Sequence, residues 1–183
     1  PYVLESIEFD RLPDNVYTLR TLSDGIKIDD AFKSAKNLVI IGAGSIGTEV
    51  APEAVKRGIS TTLVNRGDFI LSHNIDPDMS EIVRMHLESK GVNVITGAIP
   101  TSINGRGNVE SVTIGGNDIP ADVVLISTGV RPETSIAAGA GITIGSTGGI
   151  VVNEHLQVSI KNGFHPDVYA GGECIEVHDF VTG

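Results

Sequence analysis

The chain has little of several things that whole classes of protein require. Its 183 residues include one cysteine, Cys174, so an intramolecular disulfide is excluded and a reducing compartment, the cytoplasm, is expected. Positive charge is scarce: 13 lysines and arginines against 23 acids give a net charge of −10, which argues against nucleic acid and membrane surfaces as partners. No apolar run exceeds four residues, far short of the roughly 20 that a membrane-spanning helix needs.

Glycine is abundant instead, with 22 residues, and apolar runs alternate with helical stretches through the first half of the chain. Residues 37–41 form a short β-branched run typical of a strand buried on both faces. A helical pattern then runs to about residue 57 and a second one covers 76–90, with strand patterns at 61–64 and 92–95. This alternation predicts an α/β, Rossmann-like fold with a doubly wound parallel sheet.

The pattern changes in the second half of the chain. Strand patterns at 101–103, 109–114 and 119–126 are separated by Asn104-Gly105 and by Gly115-Gly116-Asn117. Both separators supply the positive φ angles that tight turns need. These segments predict an added three-stranded antiparallel β-meander, packed on one face of the parallel sheet.

The two ends of the chain have weaker patterns. Near the start we expect a strand at 16–19, followed by a helix that Ser23 caps and that runs toward Ala35. Near the other end we expect a glycine-rich loop at 139–149 and short strands at 150–153 and 167–170.

One motif carries the chemistry. Gly42, Gly44 and Gly47 form a G-x-G-x-x-G pattern that follows the buried strand and opens a helix. The first glycine permits a tight turn, the second lets a pyrophosphate approach the backbone, and the third lets helix and strand pack closely. The helix N-terminus, with Ser45 and Ile46, offers unpaired N–H groups to phosphates. The motif predicts dinucleotide binding; a glycine-rich turn that binds nothing is the simpler alternative.

A second interpretation of the same segment is a hydrolase. Residues 43–47 also fit A-x-S-x-G, a variant of the nucleophile elbow in which Ser45 would be the nucleophile. Such an enzyme needs an acid and then a histidine further along the chain. Asp122 is available as the acid, and the candidate histidines, none in a supporting motif, are His155, His165 and His178.

The end of the second strand pattern bears on which nicotinamide nucleotide binds. An acid there binds the ribose 2′-hydroxyl of NAD, whereas a nearby arginine accommodates the 2′-phosphate of NADP. This chain has Asn65 and Arg66, so the acid is absent and a cation is present. The sequence therefore favours NADP or the use of both nucleotides. Asp68 is close enough to replace the missing acid, and Arg66 as an ordinary surface residue is the alternative.

Three segments resemble the pyridine nucleotide-disulfide oxidoreductases. Residues 39–51 are similar to the NAD(P)H-binding fingerprint of that family, and residues 127–132 (STGVRP) resemble its A-T-G-x-x-P segment. Residues 167–174 (DVYAGGEC) resemble the start of its second flavin-contacting motif. The segments 15–22 and 176–183 look most like the branch of coenzyme A-disulfide reductase, NADH oxidase and NADH peroxidase.

The resemblance implies roles for individual residues. The three glycines of the motif would contact the pyrophosphate of reduced NAD or NADP, Glu49 would lie near the nicotinamide carboxamide, and Gly129 would line the nicotinamide side. Glu173 would lie at the FAD ribityl chain, where the family usually has Asp. Two more departures are Ser45, where many members have a tyrosine that shields the flavin, and Pro52 inside a predicted helix, where it removes a backbone donor.

The resemblance also implies a larger parent. We expect residues 1–35 to be a lead-in from a flavin domain, 36–163 the NAD(P)H-binding domain, and 164–183 a stub of the flavin-binding domain. The start at Pro1 leads us to expect an excised domain without turnover, whose parent holds FAD, adds flavin-binding and dimerisation domains, and forms a homodimer. A non-catalytic NAD(P)H-sensing module is the alternative; it needs the motif glycines but not Glu49, Gly129 or Glu173.

Overall fold

The computed structural model describes residues 13–177 of the chain. Two compact units divide the chain, Pro1–Gly129 and Val130–Gly183. The expected segments 1–35, 36–163 and 164–183 stay a prediction. In the first unit the elements are, in order, β1 (Val16–Thr18), α1 (Leu22–Phe32), β2 (Asn37–Ile41), α2 (Ser45–Lys56), β3 (Ser60–Val64), α3 (Pro77–Ser89), β4 (Asn93–Ile95), β5 (Pro100–Asn104), β6 (Ser111–Ile114), β7 (Asn117–Pro120) and β8 (Val123–Ile126).

A capping box starts helix α1, and it is not the predicted one. The Thr21 hydroxyl accepts a hydrogen bond from the Asp24 backbone N–H at 3.3 Å, and the Asp24 carboxylate accepts one from the Thr21 N–H at 2.8 Å. The backbone hydrogen bond from Thr21 also lowers the pKa of Asp24. Ser23, the predicted cap, lies inside the helix instead, because the threonine has the acid at the right spacing and the serine does not.

Strands β1, β8, β2, β3 and β4 form, in that order, a five-stranded sheet in which every pairing is parallel. The bounds of β2 are those that the sequence predicts, and the doubly wound α/β fold is confirmed. After β2 the chain adds β3 and β4 on one side, whereas β8 pairs with β2 on the other side. The point where the order reverses therefore lies between β2 and β8, and ligands of such sheets bind at that point, beyond the carboxyl ends of the strands.

The meander is confirmed, but its third strand is shorter than predicted. Strand β6 pairs antiparallel with β5 and with β7, and the two-residue turn between β6 and β7 has positive φ angles at Gly115 and Gly116. The predicted strand 119–126 is wrong as one element, because it breaks at Ala121-Asp122 and continues as β8 of the parallel sheet. The Asp122 carboxylate accepts hydrogen bonds from the Lys36 and Asn37 N–H groups at 2.9 and 2.8 Å, which holds β8 beside β2.

The parallel sheet is covered on both faces. Leu38, Ile40, Leu63 and Leu125 pack with helix residues such as Ala51 in one buried cluster. Their strand neighbours pack with the meander in a second buried cluster, whose members include Val39, Ile41, Val124, Ile103 and Val112. Alternate residues of a strand point to opposite faces, so the continuous apolar runs of β2 and β8 supply both clusters.

The second unit consists of short elements. They are α4 (Ser135–Gly139), β9 (Ile150–Val151), β10 (Gln157–Ile160), β11 (Gly163–Tyr169) and β12 (Ile175–Glu176). Strands β10 and β11 form an antiparallel hairpin, and β12 pairs in parallel with β9. The Glu176 carboxylate accepts hydrogen bonds from the Thr147 hydroxyl, from the Thr147 N–H at 2.7 Å and from the Ser146 N–H at 3.2 Å. Hydrogen bonds from the Thr147 side chain and backbone lower the pKa of Glu176 and tie the loop between α4 and β9 to β12.

Candidate functional site

The glycine loop joins the end of β2 to the start of α2, and two of its glycines are required by packing. Gly42 has φ +107°, and a Cβ there would lie 2.6 Å from the Ser127 carbonyl oxygen. A Cβ on Gly47 would lie 2.1 Å from the Gly42 carbonyl oxygen. Gly44 differs, because a Cβ there would meet no atom within 4 Å. Gly42 and Gly47 therefore let the backbone segments meet, whereas Gly44 leaves space open beside the helix.

The N-terminus of α2 borders that space. Gly44 is the N-cap residue, no side chain caps the helix, and its first turn contains no acid. The first N–H groups of a helix have no partner within the helix and carry part of the positive end of its dipole. Ser45 and Ile46, the first two helical residues, are exposed. The chain therefore presents uncapped backbone donors next to a residue without a side chain, a setting that suits an anionic phosphate.

The segment after β8 lies on one side of the glycine loop. The Ser127 hydroxyl donates to the Gly42 carbonyl oxygen at 2.7 Å, which ties the glycine loop to the end of β8. Within residues 13–177, the Thr128 hydroxyl oxygen is buried and has no hydrogen-bond partner. Gly129 has φ +97° and nothing within 4 Å of its Cβ position. Among the described residues, the segment after β8 thus contains one polar atom without a partner, the Thr128 hydroxyl oxygen, and one backbone conformation that favours glycine, at Gly129.

The loop after β3 also contacts the glycine loop. The Asn65 side-chain oxygen accepts a hydrogen bond from the Ala43 N–H at 3.4 Å. The Asn65 amide nitrogen donates to the carbonyl oxygens of Gly67 at 3.0 Å and Phe69 at 2.9 Å. Asn65 is half-buried, and Arg66 beside it is exposed.

The neighbouring acid lies on the β4 side of this loop. A Cβ on Gly97 would lie 3.3 Å from an Asp68 carboxylate oxygen. Asp68 therefore packs beside the segment after β4. Asp68 as a replacement for the missing ribose-binding acid stays a prediction.

The structure brings most of the predicted site residues to one edge of the sheet. Those at the carboxyl ends of β2, β3 and β8 are Gly42, Gly44, Ser45, Ile46, Gly47, Asn65, Arg66 and Gly129. Glu49 is exposed one helical turn after Ser45, on the same side of α2. Glu173 is exposed and belongs to the second unit.

Comparison with known proteins identifies the family. A family model described as pyridine nucleotide-disulphide oxidoreductase matches residues 5–182. The chain belongs to this family. An NADH oxidase of Methanocaldococcus jannaschii is 38% identical over 172 residues, which are 93% of this chain and 37% of that protein. An NAD(P)H sulfur oxidoreductase (CoA-dependent) of Pyrococcus furiosus is 35% identical over 170 residues, which are 92% of this chain and 37% of that protein.

Solved structures agree with the family assignment. An NAD-dependent persulfide reductase from A. fulgidus has a TM-score of 0.82 at 32% identity, over 96% of this chain and 31% of that one. A reduced CoADR-RHD from Bacillus anthracis has a TM-score of 0.84 at 31% identity, over 100% of this chain and 31% of that one. The chain thus spans about a third of the length of these oxidoreductases.

The hydrolase interpretation is not compatible with this oxidoreductase fold. Ser45 follows the carboxyl end of β2, whereas the Asp122 carboxylate bonds to Asn37 at the other end of the same strand. The two side chains therefore lie at opposite edges of the sheet, and Asp122 serves to join β8 to β2.

A cleft of about 490 Å³ lies away from the glycine loop. Its lining includes Asn15, Tyr17, Lys27, Asp30 and Asp122, near α1 and the amino end of β8. None of the glycine-loop residues lines it. The cleft thus lies at the amino ends of β1 and β8, whereas the open N–H groups of α2 lie at the carboxyl edge of the sheet.

Two kinds of feature are missing from the described part of the chain. Across residues 13–177, no group of three or more His, Cys, Asp or Glu residues is placed to hold a metal ion. Over the same residues, no helix has the length and apolar character to cross a membrane.

Sequence analysis missed what two of these side chains do. The sequence marks Ser127 only as part of the STGVRP segment, whereas in the structure its hydroxyl ties β8 to the glycine loop. The sequence marks Asn65 only by the charge that it lacks, whereas its amide forms hydrogen bonds with three backbone groups. A polar residue directly after a buried strand was the signal available for both.

Proposed function

We propose that this chain is the NAD(P)H-binding domain of an FAD-dependent oxidoreductase and that it positions the nicotinamide for hydride transfer to the flavin. The observation that carries the proposal is the uncapped N-terminus of α2 with Gly44 facing open space, at the point where the sheet order reverses. The relatives named NADH oxidase and NAD(P)H sulfur oxidoreductase support the same nucleotide. A third solved relative is called an FAD-dependent pyridine nucleotide-disulphide oxidoreductase, at 30% identity and a TM-score of 0.74.

The residues present fit a dinucleotide. The N–H groups at the start of α2 would hold the pyrophosphate, and the missing Gly44 side chain leaves room for it. The Thr128 hydroxyl, buried and without a partner among the described residues, is available to a ligand on the β8 side. Glu49 and Gly129 would orient the nicotinamide, which supplies a hydride when bound. The work of this chain is therefore orientation of the ring.

The preference for NADP belongs to the same proposal. Arg66 is exposed at the end of β3, where a 2′-phosphate would lie, and an arginine offers a fork of donors that suits a phosphate. The site contains no acid at position 65 to repel that phosphate. Asp68, the other charged residue of this loop, lies beside Gly97 in the segment after β4.

The remaining proposals concern the whole protein. Because the chain spans 37% of the length of the NADH oxidase and of the NAD(P)H sulfur oxidoreductase, its partners would be the flavin-binding and dimerisation domains of the same polypeptide. Glu173 would face the flavin of that parent. We propose a homodimeric cytoplasmic enzyme, in which the domain by itself binds nucleotide without turnover.

Calorimetric titration of NADH and NADPH tests the nucleotide site. Gly44→Val places a branched side chain where the pyrophosphate would lie, so we expect binding of both nucleotides to be lost. Gly139→Val is the matched control: like Gly44, Gly139 has no positive φ and nothing within 4 Å of its Cβ position, but it lies in α4 of the second unit. Wild-type affinity in Gly44→Val, with circular dichroism showing a folded protein, would contradict the proposal.

A further inference from the structure

Asn65 has a side-chain amide with both N–H groups and one oxygen lone pair in use. Its nitrogen donates to two carbonyl oxygens, those of Gly67 at 3.0 Å and Phe69 at 2.9 Å, and its oxygen faces the Ala43 N–H at 3.4 Å. Two carbonyl acceptors on one side and one N–H donor on the other determine which end of the amide is nitrogen. The side chain is therefore held by the protein backbone, and neither of its N–H groups is left to donate to a nucleotide.

The same residue joins three segments of the site. Its backbone N–H donates to the Ile95 carbonyl at 2.8 Å, and its carbonyl accepts from the Ala98 N–H at 3.1 Å. The Gly97 N–H donates to the Gly67 carbonyl at 3.0 Å. The loop that carries Arg66 is thus closed by the Asn65 side chain and held to the segment after β4. Through Ala43 it also meets the glycine loop.

A carboxylate does not suit this loop. An aspartate at position 65 would still accept from the Ala43 N–H, but its second oxygen would face the carbonyl oxygens of Gly67 and Phe69 without a proton to donate. Two acceptors facing one another repel, and each carbonyl would lose its hydrogen bond from residue 65, which leaves the Gly67 carbonyl with the Gly97 N–H alone. The closed loop around Arg66 therefore depends on an amide at this position, beyond the absence of a negative charge.

We propose that Asn65 is a positioning residue that sets the preference between NADPH and NADH by holding the Arg66 loop closed, without touching the nucleotide. The inference rests on the proposed nucleotide site. It assigns discrimination between the two nucleotides to Arg66, and it assigns the placement of Arg66 to the Asn65 amide. Opening the loop should then weaken binding of the nucleotide that has a 2′-phosphate and leave the other largely unaffected.

The test uses the 183-residue chain with NADH and NADPH as probes. Asn65→Ala removes the closure without adding charge, and we expect about tenfold weaker NADPH binding with NADH binding within about twofold of wild type. Asn65→Asp should lower the NADPH-to-NADH affinity ratio at least as far. Asn117→Asp, at the exposed first position of β7, is the control for the added negative charge and should leave the ratio unchanged.

A double variant separates positioning from a general structural effect. If Asn65 acts through Arg66, Asn65→Ala combined with Arg66→Ala should change the affinity ratio no more than Arg66→Ala alone. Additive changes in the ratio, or equal losses for both nucleotides in Asn65→Ala, would overturn the inference. A ratio that shifts in Asn65→Asp but not in Asn65→Ala would show that charge alone decides. A wild-type chain that binds neither nucleotide would instead refute the proposed function, and the inference with it.

Discussion

Gly47→Ala tests whether the third glycine of the motif is present for packing. A Cβ at this position would lie 2.1 Å from the Gly42 carbonyl oxygen, 3.0 Å from the Ser127 hydroxyl oxygen and 3.2 Å from a Leu63 methyl carbon. The nearest atom belongs to the backbone and cannot rotate away. Helix α2 and strand β2 would therefore have to move apart to accommodate one methyl group.

The magnitude follows from two opposing effects. Alanine in place of glycine favours a helix interior by about 0.5–1 kcal/mol. Overpacking of a well-packed region costs about 1–3 kcal/mol, and a backbone contact this short places Gly47→Ala at the upper end. We expect a net loss of about 2 kcal/mol in the free energy of unfolding. For a chain of this size, that corresponds to a fall in Tm of roughly 4–8 °C.

Thermal and urea unfolding followed by circular dichroism provide the measurement. Gly25→Ala is the matched control, because Gly25 is also helical and its nearest neighbour is a Leu19 carbon at 3.8 Å, an ordinary contact. That variant should be more stable than wild type by about 0.5–1 kcal/mol, since it keeps the helix gain without the clash. If Gly47→Ala is as stable as wild type, the close packing of α2 on β2 is not what requires the glycine.

Three further predictions concern the nucleotide, the flavin and pH. Arg66→Ala should lower the NADPH-to-NADH affinity ratio about tenfold or more at low salt and less at high salt, because it removes an exposed charge-assisted contact; parallel titrations measure it. The 183-residue chain should purify without flavin absorbance, because the proposal places the rest of the flavin site in other domains. Asp122→Asn should cost about 1 kcal/mol at neutral pH, because the amide oxygen still accepts from the Lys36 and Asn37 N–H groups but lacks the charge that strengthens these hydrogen bonds; urea unfolding measures it.

The direction of the Asp122 pKa shift determines how the stability cost of Asp122→Asn depends on pH. Burial acts to raise the pKa of this carboxyl, but the hydrogen bonds from Lys36 and Asn37 outweigh it and lower the pKa below its ordinary 3.8. The stabilisation is therefore present above pH 3.8 and is lost as the pH falls further, so the wild type and Asp122→Asn should converge there. A stability difference between wild type and Asp122→Asn that does not change with pH would contradict this explanation.

An NADPH-to-NADH affinity ratio that is unchanged in Arg66→Ala would contradict the prediction for the nucleotide. A yellow chain with stoichiometric flavin would contradict the prediction for the flavin.

Sequence patterns predicted the elements around the glycine loop well, because the signals there are local. The apolar run of β2, the glycines and the helix that follows lie within 20 residues, and the observed bounds are Asn37–Ile41 and Ser45–Lys56. Sequence patterns predicted the elements less well where the hydrogen-bonding partners are distant along the chain. The segment 119–126 is apolar apart from Pro120 and Asp122. Its division into β7 and β8 depends on hydrogen bonds from the N–H groups of Lys36 and Asn37, far back along the chain, to the Asp122 carboxylate.

By itself the sequence determined the α/β alternation, the meander, the dinucleotide motif and the family, because each is expressed in the order of neighbouring residues. Only the tertiary structure decided which strands meet and what the polar residues at their ends do. It placed β8 beside β2, so that Ser127 ties the glycine loop, and it turned the Asn65 amide onto its own loop. The physical reason is that a hydrogen bond joins atoms that folding brings together, and spacing along the chain does not say which groups will be neighbours.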